Sequence, residues 1–418
     1  MPGDLYSRLR RALASGGPET PRERVVARPA NEGAIERLVP GMVQENAAGR
    51  YFRAISPFAS DHVHGRAPLL DFTRLTRRGF ACLARQPELE DVDPSRIVFL
   101  DTETTGLAGG TGTYVFMVGL AYLDRERLVV DQFFMRDHSE ERAMLEALAD
   151  TLSGFEHVAT FNGKSFDLPL LATRYTAARL RPRLDFRIHF DLLFPSRRVW
   201  RDRLESCSLG TIELDIFGHR RARDLPSWQI PEAYFRYVRQ GDADDVALVF
   251  EHNVHDLLSL VTLTGLLGRL FERGEENLNG HDLYAVARLY EDLGWPGDAA
   301  DAYRRVLDHP RERAVRESAS LRLAHLLKRT GRYEEAAVMW KDLIRQRSSG
   351  WTPYVELAKV YEHRLRDLPR ALAVVEHALT RMEVSGVGDG TSREDLEYRL
   401  ARLRRKQAAR GAAAVAEA

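Results

Sequence analysis

From residue 96 the apolar positions fall into a regular order. The runs "RIVFLDTE", "TYVFMVGLAYL" and "RLVVDQFFM" are rich in β-branched and aromatic residues and separated by turn-sized gaps, which predicts three strands able to pair antiparallel. "SEERAMLEALADTLSGF" then takes a helical period, with Ser139 as the expected N-cap and acids in the first turn. "HVATFN" reads as a short strand and "SFDLPLLATRYTAARL" as a helix that tolerates Pro169 in its first turn. "DFRIHFDLLFP" gives a further strand, and a long helix covers roughly 245–271. Three strands followed by alternating helix and strand is an α/β order.

Beyond about residue 280 the pattern is helical and repeats. Segments beginning at Ala285, Arg322 and Glu356 superpose Ala287 on Ala324 and Ala358, Gly294 on Gly331, Ala299 on Ala336, and Tyr303 on Trp340. Small residues let paired helices approach, and aromatics fill the next layer. The period and these positions resemble tetratricopeptide repeats. The third copy departs from the pattern: it lacks the glycine, and Ala371 comes one residue late.

The first 95 residues are mixed. A short amphipathic helix at 4–14 is expected, then a Gly/Pro/Arg-rich stretch that reads as a loosely held leader. "DHVHG" at 61–65 carries two histidines at spacing two; it reads as a polar loop, because a metal would need further ligands and none are local. Lys+Arg and Asp+Glu both number 61, so any nucleic-acid signal must be local rather than global. Two distant cysteines, Cys82 and Cys207, support neither a disulfide framework nor a zinc site by spacing. With no apolar run of signal-peptide or membrane-spanning length evident in the pattern, a cytoplasmic protein without membrane contact is expected.

The chemistry concentrates at acids. Asp101 and Glu103 end the first strand two residues apart, so they face the same way. Side by side they repel, and burial makes this worse. A divalent cation removes the conflict, since Mg²⁺ and Mn²⁺ favour oxygen ligands. Asp167 sits just inside a helix after a short strand. Asp256 lies in the long helix with His252 one turn earlier on the same face. Four acids in three segments of one α/β domain suggest a two-metal phosphodiesterase site, with a histidine tuned near neutrality taking the proton of the attacking water.

"FLDTETTGL", "FNGKSFDLPLL" and "HNVHDLLSL" resemble the three exonuclease motifs of the DEDD superfamily, the DnaQ-like branch of the ribonuclease H fold. "GLAGGTGTYVFMVGLA", "HFDLLFPSRRVWRDRLESCSLGTIE" and the trailing repeats resemble, more narrowly, the YprB-like ribonuclease H-like domain family. The superfamily resemblance covers about 96–270; the narrower one extends to "DHVHGRAPL" and the repeats. It implies that Asp101 bridges two metals, that Glu103 and Asp256 help hold the first, that Asp167 serves the second through water, and that His252 is the candidate base. One departure leaves the base open: the His subtype carries it five residues before the final Asp, where this chain has Glu251, and His252 stands where the Tyr subtype has tyrosine. His252 could instead cap the site or position water.

Other signals are local. The glycines at 106, 109, 110 and 112 fit no nucleotide-binding register and read as a tight β-connection. Asn162 and Lys164 precede Asp167 at a strand end and could touch a phosphate or a terminal sugar, although Asn-Gly is equally turn chemistry. Between 174 and 203 there are nine arginines against three acids, with aromatics interleaved; Arg197 and Arg198 belong to the tightest group. Arg forks suit phosphates and aromatics stack on bases.

The sequence therefore predicts a leader at 1–95, partly irregular, and a ribonuclease H-like α/β domain at 96–272, a mixed sheet flanked by helices. An all-α tetratricopeptide-like domain follows at 280–380, then a charged helix and disordered tail at 381–418. The expected function is metal-dependent hydrolysis of nucleic acid, DNA or RNA, by a 3′–5′ exonuclease using two Mg²⁺ or Mn²⁺ ions. Polarity comes only from the resemblance. The alternatives are a structure-specific endonuclease on the same fold, or a non-catalytic scaffold acting on nucleic acid or a protein partner through the repeats.

Overall fold

The computed structural model describes residues 33–106, 112–182, 184–273, 278–309, 312–347, 350–385 and 390–416. The helix expected at 4–14 and most of the glycine-rich connection lie outside the described residues.

The strand pattern produces one seven-stranded mixed sheet. Its strands are β1 (Met42–Asn46), β2 (Gly49–Phe58), β5 (Ile97–Thr104), β6 (Val115–Asp124), β7 (Arg127–Phe134), β8 (His157–Thr160) and β9 (Ile188–Asp191), in the order β1-β2-β7-β6-β5-β8-β9. A two-residue pair, β3 (Val63–His64) and β4 (Ala67–Pro68), stands apart. Pairing is antiparallel from β1 through β5 and parallel from β5 through β9. The leader expected at 1–95 thus contributes two sheet strands; their short register with polar residues hides the period-two signal that β5–β7 display.

Both faces of β5 are buried, Val98 and Leu100 in one apolar cluster and Ile97 and Phe99 in the other. The helix Asp244–Arg273 crosses the sheet and feeds residues to both clusters, Phe250 to one and Leu257 to the other. It is apolar and long enough to cross a membrane, but 72% of its apolar window is buried in the fold. The turn before Glu141–Leu152 is capped by Asp137, which accepts from the Ser139 N–H at 2.7 Å, rather than by Ser139 itself.

From Gly280 the described residues form seven consecutive helices, each packed on the next. Ala287, Ala324, Ala358, Ala299, Ala336, Tyr303 and Trp340 are all fully buried, as close helix pairing requires. Gly294 and Gly331 end helices at positive φ, and the following N–H groups of Trp295 and Arg332 reach back five residues to Tyr290 and Leu327. In the third unit Arg366 takes the left-handed conformation (φ 55°) that the missing glycine would adopt without strain. The helix Gly280–Asp292 packs on Leu193–Trp200 of the α/β part, so one apolar cluster runs through both.

Candidate active site

Asp101 and Glu103 project from the end of β5 on the face that the long helix covers. A bulge sits there: Glu103 pairs with Met117 and Thr104 with Val115, leaving Phe116 unopposed. Such a bulge re-aims side chains at a strand end. Opposite Asp101 on β6 is Gly119. A Cβ on Gly119 would stand 2.0 Å from Asn253 Oδ1 and 2.7 Å from Leu257 Cδ1. The missing side chain therefore lets the helix lie directly on the sheet. Asn253, fully buried, donates to Asp101 Oδ2 at 2.9 Å and accepts from Gln132 Nε2 at 3.0 Å.

On the same helix His252 immediately precedes Asn253, and Asp256 follows one turn after His252. One ligand atom each from Glu103, His252 and Asp256 lies within 4.8 Å of the other two. Glu103 is 7% exposed, and its buried Oε1 has no hydrogen-bond partner among the described residues. Burial pushes the Glu103 carboxyl up to about 8, with Asp256 and Asp167 adding to the rise and His252 opposing it. Burial likewise holds Asp101 well above the ordinary carboxyl range, reinforced by Asp256, Glu103 and Asp167.

Asp256 behaves differently. Burial would raise it, but the hydrogen bond and charge of His252 and the charge of Arg221 bring it below its ordinary value. Arg221 bridges Asp256 and Glu213, meeting Glu213 at 2.6 and 2.8 Å. His252 lies 3.3 Å from Asp256 Oδ2 through Nε2 and 2.6 Å from Asp224 Oδ1 through Nδ1. Arg221 Nη1 is also 3.2 Å from Nδ1, but that nitrogen cannot accept from it while donating to the closer Asp224. Burial pulls His252 down, yet its bonds to Asp256 and Asp224 and the charges of Asp256 and Glu103 lift it to about 10. The expected histidine tuned near neutrality is, without a cation, an imidazolium inside an acidic cluster.

Asp167 opens the helix Asp167–Ala177 and accepts from Thr102 Oγ1 at 2.5 Å. Burial raises it to about 6 against the pull of that hydrogen bond. It reaches the two β5 acids electrostatically but stands outside the Glu103–His252–Asp256 group. Glu251 is exposed and does not join the site. The backbone N–H groups of Asn162 and Lys164 donate to the Asp191 carboxylate at 2.8 and 3.0 Å, which fixes this turn at the end of β8; Asn162 has φ 70°. Arg197 and Arg198 line a cavity of about 240 Å³ with Arg85 and Arg288, against the helical array. Arg198 pairs with Asp292 at 2.7 Å, and no hydrogen bond or ion pair described here ties either arginine to the carboxylates.

The donor set is carboxylates with one imidazole around a buried, unpartnered oxygen, which fits a divalent cation. Sequence reasoning missed Asn253, Gly119, Arg221, Asp224 and Glu213. Asn253 carried a usable signal, lying three residues before Asp256 on one helical face. The loop residues converge only in three dimensions.

Residues 98–268 match the RNase_H superfamily. Among solved structures, a family B DNA polymerase from the archaeon Pyrobaculum calidifontis aligns with 53% of this chain and 31% of its own, at 16% identity and a TM-score of 0.34, a likeness too slight to support more. The uncharacterized protein YprB of Bacillus subtilis (strain 168) is 32% identical over 316 residues, 75% of each chain. On that identity and coverage, the chain belongs to the YprB family of the RNase_H superfamily.

Proposed function

We propose that this protein hydrolyses phosphodiester bonds of nucleic acid as a 3′–5′ exonuclease, using two Mg²⁺ or Mn²⁺ ions held by Asp101, Glu103, Asp167 and Asp256. The superfamily supports nucleic-acid hydrolysis in general. The observation that carries the reading is Glu103, a buried carboxyl with an unpartnered oxygen facing His252, Asp256 and further acids. Cations bound there stabilise charge on the attacking and leaving oxygens.

The protein's own residues orient this chemistry. Asn253 fixes one oxygen of Asp101, and Arg221 fixes one oxygen of Asp256. Asp224 holds the Nδ1 proton of His252, leaving Nε2 as the nitrogen that takes or returns a proton beside Asp256. Asp256 and Glu103, two of the acids that favour protonated His252, are among those whose charge a cation would offset. In this reading Asn162 and Lys164 contact the terminal phosphate or sugar, Arg197 and Arg198 meet the nucleic-acid backbone, and the tetratricopeptide-like array offers a face to a protein partner.

A 5′-labelled single strand with Mn²⁺ should shorten as a ladder from its 3′ end, and Asp101→Asn should leave it intact. Internal products from the unaltered protein would mark an endonuclease instead. Turnover by Asp101→Asn at the original rate would refute the carboxylate site.

A further inference from the structure

Of the two histidines of "DHVHG", which lacked local partners in the sequence, His64 gains them from distant segments in the fold. His64 sits on β3, His219 follows a π-helical turn at Glu213–Phe217, and His255 lies on the long helix. The ring centroids are 4.1 Å apart for His64–His219, 5.2 Å for His219–His255 and 6.2 Å for His64–His255. One ring nitrogen from each lies within 4.8 Å of the others.

Two glycines make this approach possible. Gly65 and Gly218 each neighbour one of the histidines, and both have positive φ. A Cβ on Gly65 would meet the Phe217 carbonyl oxygen at 2.5 Å, and one on Gly218 would meet Arg66 Nε at 2.7 Å. The two loops are thus pressed together at the residues that carry the rings.

The hydrogen bonds leave the rings with nitrogen lone pairs. Ser259 Oγ donates to Glu213 Oε1 at 2.5 Å, so it accepts from His64 Nε2 at 2.8 Å, and His64 Nδ1 keeps its lone pair. A hydroxyl and a carboxylate behind a histidine are the kind of outer support that orients a metal ligand. Among the described residues, His219 Nε2 and His255 Nδ1 are buried without hydrogen-bond partners. Unpartnered buried nitrogens on two of three adjacent rings are costly unless something binds them. Burial, then the neighbouring rings, holds His64 down at about 3. Neutral imidazole is the ligand form. The Arg221 charge that would oppose a cation is itself paired with Glu213 and Asp256.

We infer that His64, His219 and His255 form a second metal site, distinct from the carboxylates, for a zinc-class divalent cation. Three imidazoles without a carboxylate select borderline ions over Mg²⁺ or Mn²⁺. Ligand nitrogens around Zn²⁺ sit about 3.3 Å apart, which small ring rotations reach from the observed spacing. The ion would fasten the β3–β4 pair and the 213–219 turn to the helix one residue from Asp256.

The test uses the full chain carrying Glu103→Gln, which disables the carboxylate site. After loading with Zn²⁺ and gel filtration in excess Mg²⁺, one equivalent of zinc should remain by elemental analysis. Adding His219→Ala should lose that equivalent. Adding His219→Cys instead should keep it, and Co²⁺ loaded there should show a thiolate-to-cobalt charge-transfer band. The Cys variant decides the matter if the Ala variant does not fold. Zinc absent from the Glu103→Gln protein, zinc undiminished by His219→Ala, or a folded His219→Cys protein with no charge-transfer band would each overturn the assignment.

Discussion

Glu362 in the helical array and Glu103 at the end of β5 are both buried glutamates, and the fold treats them in opposite ways. Glu362 receives Arg399 at 3.3 Å, Arg402 at 2.5 Å and Lys406 at 2.7 Å, all from the last helix. Burial would raise its carboxyl, but the bonds to Lys406 and Arg402 bring it below its ordinary value. Glu103 has acids for neighbours, one imidazolium and an unpartnered oxygen, and its carboxyl rises to about 8. Where a buried charge serves packing, the chain supplies its counter-ions. At the site the chain leaves Glu103 without a bonded counter-ion, which raises its carboxyl, costs stability and selects for a cation from solution.

The contrast breaks most sharply by removing each charge in turn. Glu103→Gln should reduce cleavage to background and raise the cation-free melting temperature, because a repelled carboxyl is gone. Glu362→Gln should leave cleavage of short oligonucleotides intact and cost about 2 kcal/mol in denaturant unfolding, since three cations lose a charged acceptor. Equal destabilisation by both substitutions would show that the two glutamates do the same job.

Gly119→Ala tests how the helix is held over the sheet. The added methyl collides with Asn253, so the Asn253–Asp101 bond should fail. Activity should fall about 10–100-fold, as for other residues that orient metal ligands, with about 1–3 kcal/mol lost to overpacking. Asn253→Ala should reproduce the activity loss without the steric cost.

pH sharpens the same comparison. An acid whose folded value exceeds its unfolded one binds its proton longer in the native state. The cation-free fold therefore loses stability as pH rises from Glu103's ordinary 4.5 through about 8. His252 acts in the same direction from 6.5 through about 10, since its folded value is also raised. Melting temperature recorded across this range should fall, less steeply in Glu103→Gln. Glu362, with its lowered carboxyl, contributes stability that is present at neutral pH and lost only on acidification.

The smallest effect belongs to the array alone. Arg366 holds a left-handed conformation that glycine adopts freely. Arg366→Gly should gain about 1 kcal/mol in chemical unfolding and leave cleavage unchanged.

Much of this was legible in the sequence. The β5–β7 runs, the helix–strand alternation and the buried Ala/Trp positions of the array follow from periodicity, which local chemistry sets. The β5 pair, Asp167, His252 and Asp256 were also visible, because i+2 on a strand and i+4 on a helix fix shared faces. Strands β1 and β2 were not, since their polar residues break the alternation. Arg221, Asp224 and Glu213 were hidden for another reason: they reach the helix through an irregular segment, and no local spacing encodes that convergence. The rise of His252 was hidden in part for the same reason: Asp256 is legible from the i+4 spacing, but only the fold brings Glu103 and Asp224 to the same ring.

Binding of Mn²⁺ to the full chain, followed by loss of the free-ion paramagnetic resonance signal, tests most directly whether these acids await a cation. The unaltered protein should bind more tightly as pH rises from 6 to 8.5, because the proton that burial keeps on Glu103 up to about 8 competes with the cation for the carboxylate, and Glu103→Gln should weaken binding and flatten the pH dependence. Mn²⁺ affinity that is independent of pH and unchanged in Glu103→Gln would contradict the assignment of this cluster as the metal-holding site.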